Sequence, residues 1–120
     1  MKVAVIGSRS FEDCSKVTMV LDELTEITHI VSGGAKGADN CAQDYAKKRG
    51  LPITIFYPNW KRYGRKSGLI RNRDIIENCD MCIAFWDGKS RGTANSLKIA
   101  KNLGKEIKII RFNTEVEEGK

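Results

Sequence analysis

No stretch of this sequence approaches the roughly 18 consecutive apolar residues that would suggest a membrane-spanning helix. A structural zinc site is equally ill supplied. The chain has one histidine, His29, and one CxxC, Cys79-Asp80-Met81-Cys82, with no second pair to complete a tetrahedral ligand set. No metal is therefore expected. That CxxC also fits a thioredoxin-like role badly, because it lies where a helix ends and a strand begins, away from the helix N-terminus that would lower a thiol pKa. Repeats, low-complexity runs and linker-like segments are absent, so one domain over residues 1–113 is expected, ahead of a polar, acidic tail at 114–120. The apolar part of residues 1–7 is too short for a secretory signal and reads as a first strand. Cytoplasmic location follows as the expectation, with Cys14, Cys41, Cys79 and Cys82 as free thiols.

What is present suits a soluble globular domain. The chain has 120 residues, 41% hydrophobic and 30% charged, enough to bury a core without staples. Twenty-one basic residues face 15 acidic ones, a net charge of +6, which keeps an anionic partner open. Six of the basic residues (Lys61, Arg62, Arg65, Lys66, Arg71 and Arg73) fall between Tyr57 and Arg73 with no acid among them. The remaining 15 balance the 15 acids, so the excess belongs to one segment.

Five apolar runs, at residues 3–6, 30–31, 53–57, 81–85 and 107–112, alternate with stretches of helical spacing. Val17, Val20, Leu21 and Leu24 mark the first helix. Ala38, Cys41, Ala42, Tyr45 and Ala46 mark a second, which Gly50 and Pro52 stop. Further helices are expected over 67–78 and 93–103, the latter closed by Gly104. Strict alternation of near-continuous apolar strands with helices predicts an α/β fold: a Rossmann-like, three-layer domain around a five-stranded parallel sheet.

Ligands of open α/β sheets bind beyond the carboxyl ends of the strands, so the residues after each strand are the natural candidates. Gly7, Ser8 and Arg9 follow the first strand; Ser32, Gly33, Gly34, Ala35, Gly37, Ala38 and Asp39 follow the second. Asn59 and Trp60 follow the third, and Trp86, Asp87, Gly88, Ser90, Gly92 and Thr93 close or follow the fourth. The glycine-rich segment opens a helix, whose free N–H groups and dipole favour an anion such as phosphate. Its GGxxG spacing is neither a Walker A loop nor GxGxxG. It reads equally as a tight strand-to-helix turn with Asp39 near the N-cap. The turn 87–93 offers a second anion cradle. Trp86 offers a stacking surface for a base, or a large apolar cap on the sheet edge, and Trp60 is the other candidate for stacking. Arg71 and Asn72 lie on the helix after the aromatic and basic stretch 57–66, which suits a nucleotide, single-stranded nucleic acid or simply a solvated face.

Together, Gly7-Ser8-Arg9, the Ser32–Asp39 segment, Trp60, Arg71-Asn72 and the run from Ala84 to Thr93 resemble the YspA-like branch of the SLOG superfamily. That is the Rossmann-like group containing the DNA-processing protein DprA and the lonely-guy cytokinin-activating enzymes. The resemblance implies a nucleotide or nucleotide-derived, ADP-ribose-like ligand at this sheet edge, with sensing or sequestration of a signalling nucleotide in phage–bacteria conflict as the role. It also implies a homo-oligomer. The lonely-guy members are phosphoribohydrolases whose signature pairs a helix arginine with a glutamate three residues beyond a Gly-Thr. Arg71 and Gly92-Thr93 resemble the first two, but Ser96 stands where the glutamate is expected. Asp87 and Asp39 are the carboxylates that remain, so candidate catalytic residues are Arg71, Asp87 and Asp39, with N-glycosidic hydrolysis as the alternative activity. DprA-like nucleic-acid binding is the second alternative. No firm cofactor and no membrane partner are expected.

Overall fold

Residues 3–6 are all apolar, and successive side chains of a strand point to opposite faces, so the first strand requires cover on both sides. The computed structural model, which describes residues 1–112, supplies it. Five strands, β1 (Lys2–Gly7), β2 (His29–Ser32), β3 (Ile53–Ile55), β4 (Met81–Trp86) and β5 (Glu106–Arg111), form one sheet in the order β3-β2-β1-β4-β5. All four pairings are parallel, with β1 flanked by β2 and β4 at the centre.

Val3 and Val5 of β1, with Ile83 and Phe85 of β4, face helices α1 (Cys14–Asp22) and α2 (Ala38–Arg49), which present Val17, Leu21, Ala42 and Ala46. Ala4 and Ile6, with Cys82 and Ala84, face α4 (Ser67–Glu77) and α5 (Arg91–Asn102), which present Ile75, Ile76, Leu97 and Ala100. The result is the expected Rossmann-like three-layer α/β fold. The proposed tail at 114–120 lies outside the described residues. No helix among the described residues is long and apolar enough to cross a membrane.

The boundaries differ from expectation where pairing or capping decides them. β3 stops at Ile55 instead of running to Tyr57, because its partner β2 ends at Ser32 and the last ladder bond runs from Phe56 N–H to the Ser32 carbonyl (2.9 Å). The residues beyond form a short helix, α3 (Trp60–Tyr63), and a 3-10 turn (Gly64–Lys66), neither of which the apolar pattern announces. The Asn59 side chain starts α3 by accepting from Arg62 N–H at 3.1 Å.

The expectation of four free thiols is corrected. Cys14 and Cys41 are joined by a disulfide, with Cα atoms 5.0 Å apart, inside the range that such a bridge tolerates. In a parallel α/β sheet the helices on one face all begin at the same edge. The first turns of α1 and α2 are therefore neighbours, although 27 residues separate the two cysteines. Cys79 and Cys82 are free and buried; burial pushes both thiols up, that of Cys82 to about 12, so they act as small apolar residues.

Closing a loop of this length stabilises a fold by about 3 kcal/mol. Dithiothreitol should lower the urea midpoint accordingly, and Cys14→Ser should show the same loss without reductant. Equal midpoints for all three samples would mean that the bridge contributes no stability.

Candidate functional site

The chain runs from β1 outward to β3 and then crosses back to β4, so its direction of winding reverses between β1 and β4. A crevice opens at such a point, beyond the carboxyl ends of the strands. Here it is a cleft of about 840 Å³, within the range of small-molecule sites. The β1–α1 loop, the β2–α2 loop, the α3–α4 segment and the start of α5 wall it.

The glycine-rich loop is ordered by Asp39. This side chain sits in the first turn of α2, whose N-cap is Gly37, and turns back so that Oδ2 accepts from Gly33 N–H (3.2 Å) and Ala35 N–H (3.1 Å). Gly34 N–H donates to Ser32 Oγ at 3.3 Å. Three amides expected to hold a phosphate are thus engaged by the protein's own side chains. The physical reason is proximity: a carboxylate two residues inside the helix reaches the loop that precedes it. Gly37 is required here, since its φ is +82° and a Cβ would stand 2.5 Å from the Ser8 carbonyl oxygen.

Asp39 is only 6% exposed, and burial raises its carboxyl from an ordinary 3.8 to about 6, against the opposing pull of Ala35 N–H, the Arg71 charge, Gly33 N–H and Arg9. Half-buried Arg71, on α4, donates from Nη1 to the Gly33 carbonyl (2.7 Å) and from Nε to Asn72 Oδ1 (3.1 Å). Burial weighs against its charge, and Asp39 partly restores it. Asn72, itself buried, donates onward to the Gly92 carbonyl at 3.5 Å, tying α4 to the first turn of α5. Serine hydroxyls join the other walls: Ser8 Oγ and Ser90 Oγ lie 2.8 Å apart, across 82 residues of sequence.

Asp87 serves its own turn. Its Oδ1 accepts from Lys89 N–H and Ser90 N–H, each at 2.8 Å, and the Lys89 bond leads in holding its carboxyl below the usual range. Asp87 and Gly88 lie outside the cleft lining, as does Trp86, whose Nε1 donates to the Ser90 carbonyl (3.1 Å) and whose ring has the Arg111 guanidinium 5.5 Å from its centre. Ser32, Gly37, Ala38 and Asn59 are likewise outside the lining, supporting the loop or standing at helix starts.

The remaining sequence-predicted residues meet in the cleft: Gly7, Ser8 and Arg9 on one side, and Gly33, Gly34, Ala35 and Asp39 on the next. Trp60, Arg71 and Asn72 form the third side, and Ser90, Gly92 and Thr93 the fourth. Ser10 and Pro58, which follow β1 and β3, and Tyr57, just past the end of β3, also line the cleft; Arg65 and Leu69 reach it through the turn that carries the chain from α3 into α4. Ser96 also lines the cleft, buried one turn into α5 beside Thr93. Among the described residues, no group of three or more His, Cys, Asp or Glu side chains is placed to hold a metal ion.

The raised Asp39 pKa has a sign. Between about 3.8 and about 6 the folded chain binds more protons at this site than the unfolded chain, so its contribution to stability falls as pH rises through that window. The stability difference between wild type and Asp39→Asn should therefore change by roughly 1–3 kcal/mol between pH 4.5 and 7 in urea denaturation, against the wild type at the higher pH. A pH-independent difference would contradict the burial assigned to Asp39.

Three similarities bear on identity. Gene 61 protein of Mycobacterium phage D29 is 33% identical over 121 residues, covering 92% of this chain and 95% of that protein. DNA processing protein A (DprA) from Streptococcus pneumoniae superposes with a TM-score of 0.78 at 22% identity, over 98% of this chain and 56% of that one. DprA from Helicobacter pylori gives 0.73 at 24% identity, over 99% of this chain and 73% of that one. The two superpositions establish a shared fold, and the chain spans little more than half of the larger structure. Residues 1–63 match the model of the YspA, cpYpsA-related SLOG family (YAcAr). With that match and the phage relative, the chain belongs to this family.

Proposed function

We propose that the cleft binds a nucleotide or a nucleotide-derived, ADP-ribose-like small molecule. The observation that carries this reading is Arg71: a half-buried guanidinium fixed by the Gly33 carbonyl and Asn72, in a cleft to which α5 presents its N-terminal turn. Phosphate belongs at the α5 end, on the N–H groups of Gly92 and Thr93, the hydroxyls of Ser8, Ser90 and Thr93, and the charges of Arg9, Arg71 and Arg91. A base belongs on Trp60, which is 59% exposed at the cleft mouth, or on neighbouring Tyr57. Gly7, Gly33, Gly34 and Ala35 let the ligand approach bare backbone.

We read the role as that of a sensor, or of a sponge for a signalling nucleotide, in phage–bacteria conflict, a setting that the phage origin of one relative fits. We read the protein as a cytoplasmic homo-oligomer. Hydrolysis of an N-glycosidic bond is the enzymatic alternative. Asp39 is the one carboxylate of the two candidates that lines the cleft, and Ser96 occupies the position of the lonely-guy glutamate.

One observation favours a second reading. Trp60 and Tyr63 are exposed on the same short segment as Lys61, Arg62, Arg65 and Lys66, a pattern suited to stacking and phosphate contact along a single strand. The H. pylori DprA structure concerns binding of single-stranded DNA.

Titration calorimetry with AMP, ADP-ribose and a single-stranded oligonucleotide separates these readings. Saturable binding of a mononucleotide, weakened about tenfold or more by Arg71→Ala, is expected from loss of a charge-assisted contact. Absence of heat with every mononucleotide at millimolar concentration overturns the reading. Oligonucleotide binding that survives physiological salt would install the second in its place.

A further inference from the structure

We propose that Asp39 reads the sugar: its free carboxylate oxygen accepts a ribose hydroxyl, so the cleft takes ribonucleotides in preference to 2′-deoxyribonucleotides. This inference rests on the proposed nucleotide site and names its ligand class more narrowly.

Asp39 lines the cleft while being only 6% exposed, and its two carboxylate oxygens differ. Oδ2 holds the Gly33 and Ala35 amides, whereas no group among the described residues donates a hydrogen bond to Oδ1. A nearly buried carboxylate with one acceptor idle bears a desolvation penalty that a donor from the ligand relieves. The loop geometry is already satisfied through Oδ2, so Oδ1 is surplus to folding.

The surroundings select the kind of donor. The Cβ position of Gly33 lies 2.7 Å from Arg71 Nη1 and 3.1 Å from Asp39 Oδ2, which puts a cationic donor and an anionic acceptor side by side. A phosphate placed there meets the Asp39 charge, and an ammonium group meets Arg71 and Arg9, both of which act electrostatically on Asp39. A hydroxyl is neutral and both donates and accepts, so it suits the pair without a charge conflict. It also leaves the phosphate to the α5 end, where the cleft has N–H groups, hydroxyls and arginines. Acidic side chains read ribose hydroxyls by this chemistry in dinucleotide-binding folds.

The test compares AMP with 2′-deoxy-AMP on the full chain by calorimetry, first with wild type, so that the outcome does not depend on a variant folding. One lost hydrogen bond to a charged group corresponds to about tenfold or more in affinity, and AMP should be favoured by that factor. Asp39→Asn, whose amide oxygen can keep the Gly33 and Ala35 N–H groups while an NH2 replaces the free carboxylate oxygen, should narrow that ratio. Equal affinity of wild type for the two ligands overturns the sugar-reading role while leaving the nucleotide site standing. If neither ligand binds, both readings fall together.

Discussion

The carboxylate of Asp39, folded back onto the amides of Gly33 and Ala35, is the interaction on which the rest of the site depends. It fixes the loop between β2 and α2, and with it the direction of the Gly33 carbonyl, which anchors Arg71. Arg71 in turn holds Asn72, and Asn72 reaches Gly92. One hydrogen-bonded path thus joins the end of β2 and the starts of α2 and α5 through α4. Such chains hold position because each buried polar group would otherwise lack a partner in a medium that penalises it. The Cys14–Cys41 bridge ties the same end of α2 to α1 from the opposite side, so the helix that carries Asp39 is restrained at its first turn in two independent ways.

Residue type alone does not separate the groups that build this frame from those that face the ligand space. Asp87 lies in a glycine-bearing turn ahead of α5, and Asp39 lies in the first turn of α2, just past another. Asp87 uses its oxygens on Lys89 and Ser90 of its own turn, and lies outside the cleft. Asp39 keeps an oxygen free and lies within it. The two tryptophans divide in the same way. Trp86 is bound by its own turn and flanked by Arg111, whereas Trp60 presents its ring at the mouth.

The fold was legible in the sequence because its strands are short apolar runs needing cover on both faces, and because glycines and helix periodicity mark the breaks between them. Residues 3–6 carry this signal in its plainest form. Much of the site was legible for a related reason: a parallel sheet delivers every strand's following loop to one edge, so Ser8, Gly33 and Thr93 meet by topology. Features that depend on non-local packing were not legible. The disulfide follows from two helices starting side by side, which no spacing of cysteines records. Arg65 and Leu69 reach the cleft through the path of α3, a four-residue helix defined by an Asn59 cap and Gly64, without hydrophobic periodicity. The fate of the basic segment also needed side chains. Arg73 pairs with Glu77 at 3.2 Å and Arg62 lies over the Tyr63 ring, while Arg65 and Arg71 line the cleft.

That division of charge bears on what the cleft holds. A site for a uniform polyanion would be basic along its length, as electrostatic tracking of a phosphate backbone requires. This cleft is polarised. At the α5 end stand helix amides, serine and threonine hydroxyls and arginine; at the α2 end the glycine-loop amides are already taken by a carboxylate. A strand of repeating phosphates would bring one of them against Asp39 wherever it lay along that axis. A molecule with a charged end and a neutral, hydroxyl-bearing end meets both environments without conflict, and a nucleotide is built in that way. The exposed aromatic and basic strip over residues 57–66 contains no carboxylate of its own. On the proposed reading, a longer nucleic acid would contact that outer surface, and the cleft would take a single small ligand.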